Sequence, residues 1–257
     1  MLTRTVDALT VTIYPDADAV AAAAAARIKG VILGAVAARG EARIIWATGN
    51  SLLACLGLLV ADGGIPWERV VCFHLDEYLG IAADHPGSFR HYLKTRLADL
   101  VHPQVFHFLA GDCWEPLGEC DRYRQLLEAA PIDLCCLGVG NNGHLGFNEP
   151  TVANFNDPYA VKLVRLDDRN RAQQYGQGHF GSLAAVPDYA FTLTLPAIFR
   201  SGELLCLVQG GHKGAIVAEL LGGAIAPSCP ASFLRCHPRS HLYLDEAAAG
   251  VWQDPIE

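Results

Sequence analysis

The stretch Ile132-Asp133-Leu134-Cys135-Cys136-Leu137-Gly138-Val139-Gly140-Asn141-Asn142-Gly143-His144 decides the fold. A short, nearly unbroken apolar run, the pattern of a strand covered on both faces, passes directly into glycine, amide and imidazole groups. Three other runs end in the same way. Ala42–Thr48 leads into Thr48–Ser51, Val70–Leu75 into Asp76-Glu77, and Leu204–Val208 into Gly210–Lys213. Val105–Leu109, Val161–Leu166, Phe191–Leu195 and His241–Leu244 are further strand-like runs. Between the runs, Ala17–Ala38, Ser51–Ala61, Gly87–Leu97, Leu117–Ala129 and Gly214–Leu221 read as helices. This alternation predicts an α/β fold: a single domain over residues 1–257, an open, mostly parallel sheet with helices on both faces, and an added lid or loop segment at Asn148–Asp157. In open α/β sheets ligands bind beyond the carboxyl ends of the strands, so the polar clusters are expected to meet at one site.

Composition narrows the partners. The 257 residues carry 27 Asp and Glu against 19 Lys and Arg, a net charge of −8, with 51% hydrophobic and 18% charged residues, which is globular rather than disordered. Only four of the cations are lysine and no basic run occurs, so neither nucleic acid nor an anionic membrane is an expected partner. Arg27 and Lys29 interrupt the alanine-rich stretch Ala21–Ala38, and Asp62 closes Leu52–Ala61, so no apolar stretch of the ~18 residues a membrane span needs is expected. The start, with Arg4, Asp7, Asp16 and Asp18, lacks the apolar centre of a signal peptide, and a cytoplasmic location is expected. Nine scattered cysteines, mostly inside apolar runs, read as buried thiols rather than disulfides or a zinc site.

Each cluster has a chemical reading and a plain one. Thr48-Gly49-Asn50-Ser51 puts a glycine turn before a helix, where free N–H groups and the helix dipole favour an anion; Asn50 or Ser51 could equally cap that helix. Lys213 stands at a helix start against the dipole, a placement that a bound phosphate explains, although an exposed loop lysine would look the same. Asp76 and Glu77 stand at a strand end, where desolvation raises basicity and suits proton abstraction, yet either could cap a helix or pair with an arginine. Gly138, Gly140 and Gly143 let the backbone approach a ligand closely. His144, with Glu149 five residues on, forms a candidate proton-transfer pair.

In chain order, Leu75-Asp76-Glu77-Tyr78, Gly138-Val139-Gly140-Asn141-Asn142-Gly143-His144 and Phe147-Asn148-Glu149-Pro150 resemble the signatures of the glucosamine-6-phosphate deaminase/isomerase family. Ala47-Thr48-Gly49, Lys213 and His237-Pro238 extend the resemblance over most of the chain. It implies an α/β sandwich related to 6-phosphogluconolactonases and ribose-5-phosphate isomerases, with no metal or organic cofactor. The implied substrate is a small hexosamine 6-phosphate. The implied reaction is isomerisation with deamination, from glucosamine 6-phosphate to fructose 6-phosphate and ammonia or the galactosamine equivalent. Asp76 matches the base that moves a proton between C2 and C1, His144 the ring-opening histidine, and Glu149 its supporting carboxylate. Thr48, Gly49, Ser51 and Lys213 match positions around the substrate phosphate, and Asn50 and Gly140 are further candidate substrate-binding residues.

Two departures qualify the match. Asn142 stands where family deaminases usually have Asp; an amide cannot raise histidine basicity as a carboxylate does, so His144 is expected to depend more on Glu149. The arginine expected after the loop has no clean counterpart, and Arg171 is the candidate. Thr151–Pro158 lacks the basic residues with which regulated relatives bind an allosteric sugar phosphate, so no such activation is expected. Family members range from monomer to hexamer, and homo-oligomerisation stays open. The alternatives are a 6-phosphogluconolactonase-like hydrolase, disfavoured by Phe147-Asn148-Glu149-Pro150, and a non-catalytic sugar-phosphate-binding relative.

Overall fold

The computed structural model describes residues 1–176, 178, 180–250 and 252. An antiparallel hairpin, β1 (Leu2–Val6) and β2 (Leu9–Tyr14), opens the chain and turns at Asp7, which takes a left-handed conformation (φ 52°). Asp16 caps α1 (Ala17–Arg39) by accepting from Ala19 N at 2.8 Å, and Gly40 ends it at φ 83°. Both ends follow ordinary cap chemistry. β3 (Ala42–Trp46), α2 (Asn50–Ala61), β4 (Val70–His74) and β5 (Asp76–Tyr78) follow. Next, α3 (Phe89–Leu93) runs through a π-helical turn (Lys94–Ala98) into α4 (Asp99–Val101). β6 (Val105–Phe106), α5 (Pro116–Glu128), β7 (Leu134–Gly138), β8 (Val161–Arg165) and α6 (Asp168–Gly176) come next. The chain continues with β9 (Tyr189–Leu193), α7 (Leu195–Phe199), β10 (Leu204–Val208), α8 (Gly214–Gly222), β11 (Ser240–Asp245) and α9 (Glu246–Ala249).

Eight strands form one sheet in the order β1-β2-β11-β10-β7-β3-β4-β6, with only β1 antiparallel. β3, β4 and β10 are buried at every position, so both faces of the sheet are covered, as their unbroken apolar runs predict. α1 is long and apolar enough by composition to cross a bilayer, which the interruption by Arg27 and Lys29 did not suggest. In the fold its stripe of Val20, Ala24, Ile28 and Ile32 is buried in the core, while Arg27 pairs with Glu203 at 2.5 Å and Lys29 with Asp62 at 2.8 Å.

Val161–Leu166 and Phe191–Leu195 do not join the main sheet. They supply β8 and β9 of a separate antiparallel sheet, ordered β5-β9-β8. The chain leaves the carboxyl edge of the main sheet at Gly138 and passes through turns at 150–157, with no helix to carry it back for parallel pairing. Leu75 joins the two sheets: its N–H donates to Trp46 O, and its carbonyl accepts from Leu193 N at 2.8 Å. A second apolar cluster, including Tyr78, Phe147, Val164 and Phe180, draws on all three strands of the small sheet and is separate from the main core.

Candidate active site

From β3 the chain steps to β4 and β6 in one direction, and from β7 to β10 and β11 in the other. The crevice of such a sheet opens where the direction reverses, here between β3 and β7. A cavity of about 880 Å³ lies there, within the size range of small-ligand sites, walled by the loops after β3, β4, β7 and β10. The four clusters at strand ends therefore meet.

One wall is built to attract an anion. Gly49 is the N-cap of α2 at φ 111°, and no side chain caps the helix, so Asn50 and Ser51 do not take the capping role. Thr48, Gly49, Asn50 and Ser51 all line the cavity at the positive end of this helix. Ser51 turns inward against Gly138, where a Cβ would stand 2.9 Å from its Oγ. Lys213 closes a 3-10 turn (Gly211–Lys213) entered at Gly210 (φ 89°), whose N–H is held by Asp245 at 3.0 Å. The Lys213 ammonium donates to Val139 O at 2.8 Å and Asn141 Oδ1 at 2.6 Å, and burial pulls its pKa down.

Asp76 and Glu77 divide their roles. Asp76 lines the cavity, and burial, reinforced by the neighbouring Glu77, holds its carboxyl well above the usual carboxylate range. Gly146, at φ 59°, gives it room: a Cβ there would stand 3.3 Å from Asp76 Oδ2. Glu77 is fully buried and accepts from Ser88 Oγ and from the N–H groups of Tyr78, Phe89 and Arg90, which ties it to the start of α3.

The loop after β7 carries the imidazole. Gly140 lies directly under the His144 ring, where a Cβ would overlap Nε2, Cε1 and Cδ2, so only glycine allows this approach. His144 Nδ1 lies 2.7 Å from Glu149 Oε1, an oblique contact rather than a well-aligned hydrogen bond. Glu149 sits behind the ring and is buried. Its Oε2 accepts from Asn142 Nδ2 and its Oε1 from Asn170 Nδ2, each at 2.5 Å. Burial would raise the Glu149 pKa, but His144 and the two amides outweigh it and hold the carboxyl below its ordinary value. Asn142 does not line the cavity; its Oδ1 instead accepts from His144 N at 3.3 Å.

Arg171 is turned away from the cavity. Its guanidinium donates to Leu183 O and Val186 O and pairs with Asp188 at 3.1 Å. The arginine that lines the cavity is Arg96, with its Cζ 4.3 Å over the Tyr92 ring, while Tyr92 Oη donates to Gly49 O. The spacing of Tyr92 and Arg96, four residues apart on an expected helix, was the available signal. Asn170 was also missed; Asp167, whose side chain accepts from Asn170 N, marks the helix start there. Around one cavity stand a basic carboxylate, an imidazole backed by a carboxylate, and a cationic cradle. Such a set can abstract a proton, shuttle a second one and hold an anion.

Residues 15–148 match the family model described as glucosamine-6-phosphate isomerases/6-phosphogluconolactonase. A glucosamine-6-phosphate deaminase of Shewanella loihica is 32% identical over 214 residues, 81% of this chain and 78% of the relative. That of a Geobacillus species is 32% identical over 231 residues, 87% of this chain and 90% of the relative. A solved structure described as a monomeric glucosamine-6-phosphate deaminase superposes with a TM-score of 0.86 at 27% identity, covering 94% of this chain and 99% of its own. A 6-phosphogluconolactonase from Thermotoga maritima shares the fold at a TM-score of 0.74 and 18% identity, covering 92% of this chain and 99% of its own.

Proposed function

This chain belongs to the glucosamine-6-phosphate isomerase/6-phosphogluconolactonase family, and we propose that it isomerises and deaminates a hexosamine 6-phosphate, with glucosamine 6-phosphate the first candidate. One observation carries the reading. Of two adjacent buried acids, Asp76 alone opens on the cavity shared by His144 and the helix-end cradle.

In the cyclic sugar the carbonyl is masked. His144, backed by Glu149, moves a proton from the anomeric hydroxyl to the ring oxygen, and the bond between C1 and that oxygen breaks. The aldehyde at C1 now acidifies the C2 proton, which Asp76 removes to give a 2-amino enolate. Asp76 returns the proton to C1 while a proton passes from the nitrogen to O1, leaving an imine at C2. Water adds to C2 and ammonia departs, giving the ketose 6-phosphate. Each proton-transfer group contributes typically ~10²–10⁴-fold, and anchoring the phosphate contributes further by positioning.

The anchor combines the α2 N-terminus with Lys213 and Arg96. A unit-charge pair at contact gains ~4 kcal/mol at an effective dielectric of 20, before desolvation. This is how a chain of net charge −8 binds a small dianion: positive potential is concentrated at one strand edge. The test is ammonia and ketose release from glucosamine, galactosamine and mannosamine 6-phosphates. Release from one of them supports the reading; no ammonia from any, with hydrolysis of 6-phosphogluconolactone instead, overturns it.

A further inference from the structure

The carboxylate of Glu149 is held from two sides, and one holder lies outside the loop that carries the His144 pair. Asn142 donates to Oε2 from within that loop. Asn170 donates to Oε1 from the first turn of α6, 21 residues further along the chain. Asn170 is 3% exposed, and its amide is arranged at a cost: Nδ2 serves Glu149, while Oδ1 is buried without a hydrogen-bond partner. An amide can be turned over, so an asparagine serving only to satisfy its surroundings would aim its oxygen at a donor. Here that turn would press the oxygen against a carboxylate. The same Oε1 that receives Asn170 faces His144 Nδ1.

We infer that Asn170 is a positioning residue for His144, acting by fixing the Glu149 carboxylate in the orientation that faces the imidazole. The catalytic part of this inference rests on the function proposed above. The presence of Asn142 explains the need: with an amide before the Gly143-His144 pair, Glu149 is the carboxylate left to His144, and two amide donors hold it in place. His144 is the ionisable group in contact with Glu149 among the described residues. The other ionisable groups around the cavity are Asp76 from β5, Tyr92 and Arg96 from the helix preceding β6, and His212 and Lys213 from the turn before α8.

The test follows the Glu149 carboxyl by NMR in the full chain with labelled glutamate, assigned with Glu149→Gln, alongside steady-state kinetics on glucosamine 6-phosphate. In Asn170→Ala the Glu149 titration moves up by about one pH unit, because a donor that favours its charged form is lost. Asn170→Asp, which sets a like charge in the same place, moves it further, and carries the titration test if the alanine variant does not fold. The turnover number falls about tenfold with KM changed less than twofold. This loss vanishes when Asn170→Ala is built into Glu149→Gln, since the two then act through one group. An unmoved Glu149 titration in a folded variant overturns the inference, as does a loss that persists in full in Glu149→Gln. If the unaltered protein releases no ammonia, the proposed function fails while the titration still decides the role of Asn170.

Discussion

Asp76 and Glu77 are neighbours in β5 whose carboxylates face opposite ways, Asp76 into the cavity and Glu77 onto the N–H groups at the start of α3. Strand alternation is the cause: successive side chains leave opposite faces, so one of two adjacent acids is free for chemistry and the other is consumed by structure.

Glu77→Gln should therefore damage stability before chemistry. Its amide nitrogen would face N–H donors, and each buried group left unpaired costs about 1–3 kcal/mol. Thermal unfolding is expected to drop by about 2–4 °C for each kcal/mol lost. An unchanged melting temperature would show that the tie to α3 carries no stability.

Gly140→Ala tests the seat of the imidazole. The added methyl would overlap the His144 ring, which must swing away from Glu149. Turnover is expected to fall about 10²-fold, the usual effect of a displacement near 1 Å, with substrate affinity largely kept. Wild-type kinetics in this variant would mean that the position of the ring is not required.

Lys213→Ala and Arg96→Ala are each expected to raise KM for phosphorylated sugars by about ten- to a hundredfold, the loss of a charge-assisted contact of about 1.5–3 kcal/mol. Lys94→Ala, which removes a surface partner of Asp99, should not. Arg171→Ala should spare KM and lower the melting temperature, because it removes the hydrogen bonds to Leu183 and Val186. Equal KM values for all four variants would contradict the placement of the cradle.

The raised pKa of Asp76 has a consequence for stability. A carboxyl whose folded pKa lies above its unfolded value favours the fold below the unfolded pKa, and that contribution is lost as pH rises through the folded pKa. Asp76→Asn, which cannot ionise, should raise the melting temperature at neutral pH. The gain should shrink as pH falls toward the ordinary carboxylate value near 4. A gain independent of pH would contradict the burial argument.

The legible part of the fold was coverage. β3, β4, β7 and β10 announce themselves as apolar runs because both faces are buried, and their polar ends mark the cavity edge. Pairing was not legible. Val161–Leu166 and Phe191–Leu195 read as strands, but hydrophobicity reports burial and not a neighbour, so their antiparallel sheet was missed. Within Arg169-Asn170-Arg171, residues on a helix point about 100° apart, so Asn170 turns inward to Glu149 while Arg171 faces Val186. A one-dimensional reading saw a cation where the fold uses an amide. Arg96 carried no signal of its own in the sequence, and only the placement of its helix beside Gly49 brings it to the cavity.

The proposed reaction turns on Asp76 moving a proton between C2 and C1 of an amino-sugar phosphate. The direct measurement is ammonia release from glucosamine 6-phosphate by the protein and by Asp76→Asn, with exchange of the C2 proton followed by NMR in deuterated water. Turnover and C2 exchange are expected in the unaltered protein, with both abolished in a folded Asp76→Asn. Ammonia release or C2 exchange at an undiminished rate in that variant would contradict it.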